Sequence, residues 1–408
     1  MRDSNFSQRW INLSLFNLLV VALVGVLMRY KIGFDFDYFD QKYLQHAHAH
    51  FAFSGWVTQT LMVLIVHFLS PFISRSSYKL YNILLASNLI VSYGMLFSFA
   101  IQGYGTYSLI FSTLSILVNA CFTWWCLLDL HHQKNWPGIP WLRASLVFNI
   151  LSSLGTFALA YIMATKNFQQ HYYLASVYWY LHFQYNGWFF FACVGLFLNY
   201  LKRIHPDFNI SNRAFWLFAV SCIPAYGLSV LWVEIPLWLY IIIALGAITQ
   251  LVAWGIMIKR IRILPSFDFK PNKALYFFLF LYIALALTLK LLLQAVSTIP
   301  EISKLAFGFR PIVIAYLHLV LLAITSVYLI TYVLINNLIT KSKLTLTGIV
   351  VFAIAVFFNE VVLAFQGIGS LQYIVIPGVN IILLIIAITI FISLCLIILG
   401  QLKFTSKK

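Results

Sequence analysis

Apolar runs of about 20 residues or more recur along the whole chain, separated by short polar breaks. Twelve can be drawn, at roughly 10–30, 45–70, 78–101, 106–130, 141–164, 174–200, 213–231, 236–258, 274–297, 310–336, 344–365 and 376–400. As helices, runs of this length match the hydrocarbon thickness of a bilayer; the strands of a membrane barrel alternate in polarity and need only about 10 residues. The pattern predicts an all-α polytopic membrane protein of about twelve transmembrane helices, forming a single transmembrane domain over 1–408. The first run has no small-residue cleavage site and leads straight into the second, so it is expected to remain as a span. The spans are numbered 1 to 12 in chain order below.

Composition agrees. Of 408 residues, 62% are hydrophobic and 9% charged, and the mean hydropathy is +0.92; the expected surroundings are a lipid bilayer. The net charge of +16 would suit nucleic acid, but its placement does not. Nineteen of the 26 Lys and Arg fall at the termini and in the even loops, six fall in the odd loops, and Lys290 lies inside a span. That asymmetry predicts both termini in the cytoplasm, an even number of spans and residence in the cell (inner) membrane. The five cysteines, Cys121, Cys126, Cys193, Cys222 and Cys395, lie within apolar runs and read as small core residues.

The candidate chemistry is histidine. Span 2 opens with Gln45-His46-Ala47-His48-Ala49-His50-Phe51-Ala52-Phe53-Ser54-Gly55-Trp56, three of the ten histidines in one stretch. A helix turns roughly 100° per residue, so His46 and His50 share a face and His48 points nearly the opposite way. Span 6 carries His182 and span 10 carries His318, each eight residues past the start of its run, or roughly 12 Å deep. With the orientation above, all three spans enter from the outer side, which predicts imidazoles in one outer layer. Imidazoles in hydrocarbon point to metal, haem or a proton path. The bland alternative for His182 is a ring satisfied by a carbonyl or by Asn186. His67, His131, His132, His171 and His205 read as interfacial or solvated.

Twelve spans with histidines in spans 2, 6 and 10 resemble the catalytic subunit of the haem–copper oxidase superfamily, which includes the nitric oxide reductases. His-Ala-His-Phe-Ala-Phe-Ser-Gly-Trp in span 2 is similar to the family's haem-binding helices. Tyr180-Leu181-His182 through Gly187-Trp188-Phe189-Phe190 is similar to its sixth helix. The resemblance implies a subunit I-like bundle and one low-spin bis-histidine haem b, held by His318 and one of His46, His48 or His50. It also implies a quinol or cytochrome c electron donor and other respiratory subunits as partners. The chain departs from the family in span 10, where Tyr316 stands in place of the high-spin haem ligand. It departs again in span 7, which has no histidine for the copper pair. An ordinary binuclear centre is therefore not expected; His182, with His46 and His50, is the candidate set for an altered copper or non-haem iron site.

Arg310, at the outer mouth of span 10, suits a haem propionate or an interface anchor. Lys290 and Glu360 lie within spans and are expected either to pair with each other or to serve a polar site. Two competing functions are a cation transporter with a histidine-lined metal site, and a haem gas sensor without turnover. Oxygen or nitric oxide reduction is an expectation of the resemblance alone.

Overall fold

The computed structural model describes residues 4–133, 135–165, 169–264 and 272–405. Arg2, Lys134, Lys166, Lys270, Lys407 and Lys408, which enter the charge asymmetry, lie outside them. Among the described residues the secondary structure is helical and no strand occurs. Eleven helices there are long and apolar enough to cross a membrane, from Asn5–Gly33 to Val379–Leu402. The remaining run, span 6, is an unbroken helix over 170–204. It is less apolar because Gln184, Asn186 and several ring residues sit in its middle.

The contacts gather into two compact units. The first takes residues 1–129, 326–369 and 373–408; the second takes 130–325 and 370–372. The boundary cuts span 10, Arg310–Ile335, near its middle.

In the first unit span 1 packs along span 12 and against span 2. Span 2 is the most enclosed of the eleven: 83% of its most apolar window is buried, and no other exceeds 50%. It changes from α-helix to π-helix over Ala52–Thr58 and returns to α-helix at Gln59. A π-turn shifts the backbone ladder by one residue, so its carbonyls gain from outside donors. Two amide side chains supply them. Asn17 of span 1 donates to the Gly55 carbonyl at 2.6 Å, and Asn88 of span 3 donates to the Ser54 carbonyl at 3.1 Å. Asn88 also donates to Gln59 Oε1 at 2.7 Å. The N–H groups of both buried amides thus find acceptors.

In the second unit, spans 5 to 8 surround an aromatic core that includes Trp141, Phe148, Phe183, Phe191 and Phe218. Gly187 lets spans 5 and 6 approach: a Cβ there would sit 2.6 Å from the Phe148 Cβ. Span 7 contains Pro224 and tightens from α-helix, Asn212–Ala225, into a 3-10 turn, Tyr226–Val230. Proline has no N–H to continue the ladder, which accounts for the change.

Candidate functional site

Each of the three spans singled out by histidine changes to π-helix within two residues of a histidine. The π segments are Ala52–Thr58 after His50, Phe183–Phe189 after His182, and Leu319–Ser326 after His318. π-helices are rare and concentrate at functional positions. Two of the junctions also share a sequence, His-Phe-x-x-x-Gly-Trp: His50-Phe51 to Gly55-Trp56, and His182-Phe183 to Gly187-Trp188. This repeat is visible in the chain once spans 2 and 6 are aligned on their histidines.

Within the first unit the span 2 histidines divide as helical geometry requires. His46 and His50 share a face and meet Phe99 and Tyr104. His50 stacks on Phe99 with ring centres 4.2 Å apart and an interplanar angle of 6°, and its Nε2 lies 3.4 Å from the Tyr104 hydroxyl. Among the described residues the buried Nε2 of His46 has no hydrogen-bond partner. His48 turns the other way, toward span 1: a Cβ built on Gly25 would lie 3.5 Å from His48 Cε1. Arg29 is one turn beyond Gly25 on the same helix face. No hydrogen bond or ion pair joins Arg29 to any described residue, and no motif marked it in the sequence.

Trp56, six residues past His50, donates its indole N–H to Ser326 Oγ at 2.9 Å. That bond fastens span 2 to the half of span 10 that belongs to the first unit.

Span 10 changes character along its length. None of the residues Arg310–His318 is buried, whereas every residue of Val327–Ile335 is. His318 Nδ1 lies 2.8 Å from the carbonyl oxygen of Ile314. A carbonyl only accepts, so Nδ1 carries a proton; the tautomer this selects for a neutral ring has its lone pair at Nε2. This is the arrangement in which imidazole ligates iron. Arg310 is exposed at the start of the span.

His182 is used differently. It is 1% exposed. Its Nε2 donates to the Cys222 carbonyl at 2.8 Å, and its Nδ1 accepts from Asn186 Nδ2 at 3.0 Å. In a regular helix the Tyr226 N–H would serve the Cys222 carbonyl. Here it turns to Ile223 and Pro224 as span 7 tightens, and the imidazole takes its place. Both alternatives open for this ring in the sequence, a carbonyl and Asn186, are therefore realised together. A metal at His182 would have to displace one of these bonds. Among the described residues no group of three or more His, Cys, Asp or Glu side chains is arranged to hold a metal ion.

Lys290 is 5% exposed, within electrostatic reach of Cys222 and His182. No described residue accepts a hydrogen bond from it or pairs with it. Among the described residues Asn186 Oδ1 is likewise buried without a donor. Tyr185, three residues past His182, meets the ring of Tyr316 at 6.3 Å between centroids. In the first unit Glu360 accepts from Asn359 Nδ2 at 3.1 Å.

Neither a protein-family model nor a curated protein sequence matches the chain.

Proposed function

We propose that this chain is a membrane haem protein of the haem–copper oxidase type, pared down to a low-spin haem b and its electron transfer. His318 is one axial ligand. The observation that carries the reading is its Nδ1 bond to the Ile314 carbonyl, which orients the ring and leaves the lone pair at Nε2. The half-buried stretch 311–318 also supports it, since a helix that carries a cofactor needs a flank that side chains do not completely fill.

By the family resemblance the second ligand comes from span 2, and within that span His48 suits the role better than His46 or His50. Its ring lies against Gly25, and Arg29 stands one turn along the same face of span 1. A guanidinium with no partner among the described residues is matched to a propionate carboxylate. Arg310 remains a second propionate candidate. The bound haem supplies one-electron redox chemistry; the chain's part is to hold the ligands and keep the site inside the bilayer. The electron donor in this reading is a quinol or a cytochrome c, at the cell membrane, with both termini cytoplasmic. In this reading His182, on span 6, serves as a structural group that bonds the Cys222 carbonyl of span 7 rather than as a ligand to copper or non-haem iron.

The test is a reduced-minus-oxidised spectrum of the detergent-purified protein from haem-replete cells. Sharp low-spin b-type bands are expected in the wild type and their loss in His318→Ala. A colourless wild-type protein would end the proposal.

A further inference from the structure

At one end of the first unit, spans 1 and 3 line an open cavity of about 480 Å³ bordered by Asn5, Phe6, Arg9, Trp10, Leu13 and Asn82. The Trp10 indole N–H donates to Asn82 Oδ1 at 3.1 Å. This fixes the Asn82 amide and leaves its N–H groups as donors toward the cavity rim. Arg9 is exposed, and no described residue pairs with it or accepts from it. Lys79 is exposed one turn before Asn82. None of the six lining residues is acidic, so the polar part of the cavity offers donors and positive charge.

The apolar part continues in one direction. Phe6 and Trp10 form an aromatic wall with Tyr78, of the kind found at the level of lipid headgroups. Beyond it, Phe16 on the face of Arg9 and Leu13 is 46% exposed, and Ile83 beside Asn82 is 61% exposed. A donor-lined cavity at a span end, leading to exposed apolar side chains deeper in the bilayer, has the polarity profile of a phospholipid.

We propose that this cavity binds the phosphodiester of an anionic phospholipid, with its acyl chains lying along Phe16 and Ile83. Arg9 and the Asn82 amide hold the phosphate oxygens by charge-assisted and neutral hydrogen bonds. The site is independent of the histidines and of any haem.

The experiment is native mass spectrometry of the full-length, detergent-purified protein with added phosphatidylglycerol or phosphatidylcholine at equal concentration. The wild type is expected to retain phosphatidylglycerol in preference to phosphatidylcholine. Arg9→Gln and, separately, Asn82→Leu should each weaken that retention, the former about tenfold, the scale of one charge-assisted contact. Arg9→Lys should keep part of it, and Arg213→Gln, an exposed cation elsewhere, should change nothing. Equal retention of the two lipids by the wild type would overturn the proposal, as would undiminished retention by a folded Arg9→Gln. Displacement of the lipid by inorganic phosphate would also overturn it, because the cavity would then be a site for soluble anions.

Discussion

The imidazole of His182 stands in for a backbone donor: its Nε2 reaches the carbonyl of Cys222 at 2.8 Å, where span 7 turns from α-helix to 3-10. Replacing this ring leaves a buried carbonyl and the Asn186 amide without partners. His182→Ala should therefore cost about 1–3 kcal/mol for the unsatisfied group, with a further cavity cost. Unfolding of the detergent-solubilised variant should show the loss, while any b-type spectrum persists. A spectrum abolished in a folded His182→Ala would instead make His182 a ligand.

The Trp56–Ser326 bond joins segments 270 residues apart. Trp56→Phe and Ser326→Ala each remove it, at about 1 kcal/mol per single change beyond any packing loss. Because both delete the same bond, the double variant should cost less than the sum. A double-mutant cycle reading of about 0.5 kcal/mol or more supports the coupling, and strict additivity contradicts it.

Gly187 and Gly255 offer a matched comparison. A Cβ on Gly187 would meet Phe148 at 2.6 Å, whereas a Cβ on Gly255 meets nothing within 4 Å. Gly187→Ala should destabilise by about 1–3 kcal/mol through overpacking. Gly255→Ala, in a helix interior, should be neutral or stabilising by up to about 1 kcal/mol. Parallel thermal unfolding curves would separate the two.

For the proposed haem, His48→Ala should abolish the low-spin bands and His50→Ala should retain them. Arg29→Gln should keep the ligands but shift the midpoint potential, because a positive charge near the haem periphery is lost. Potentiometric titration of the three variants checks this. Loss of the bands in His50→Ala alone would move the ligand to the other face of span 2.

Lys290 is buried in the second unit with no acceptor among the described residues. Burying an ammonium without a partner is costly, so Lys290→Met should raise the unfolding midpoint. If the variant is instead destabilised, the lysine has a partner that stabilises it.

Much of this architecture was legible without coordinates, because the bilayer imposes a coarse rule. Each span must satisfy its own backbone, so length and apolarity announce helices one at a time. The splitting of His46 and His50 from His48 followed from helical rotation alone. The repeated His-Phe-x-x-x-Gly-Trp was equally open to view, and aligning spans 2 and 6 would have exposed it. Arg29 carried no such signal. Its relevance, one turn from the glycine that lies against His48, depends on which face of span 1 meets span 2.

The chain by itself therefore determined the all-helical class, the approximate spans and the faces on which the histidines stand, since those depend on local hydropathy and a fixed angular period. Only the tertiary structure decided what each imidazole does. Hydrogen-bond partners such as the carbonyls of Cys222 and Ile314, and ring partners such as Phe99, are set by side-chain packing. The π-turns after His50, His182 and His318, and the 3-10 turn after Pro224, re-aim carbonyls that a hydropathy pattern cannot locate.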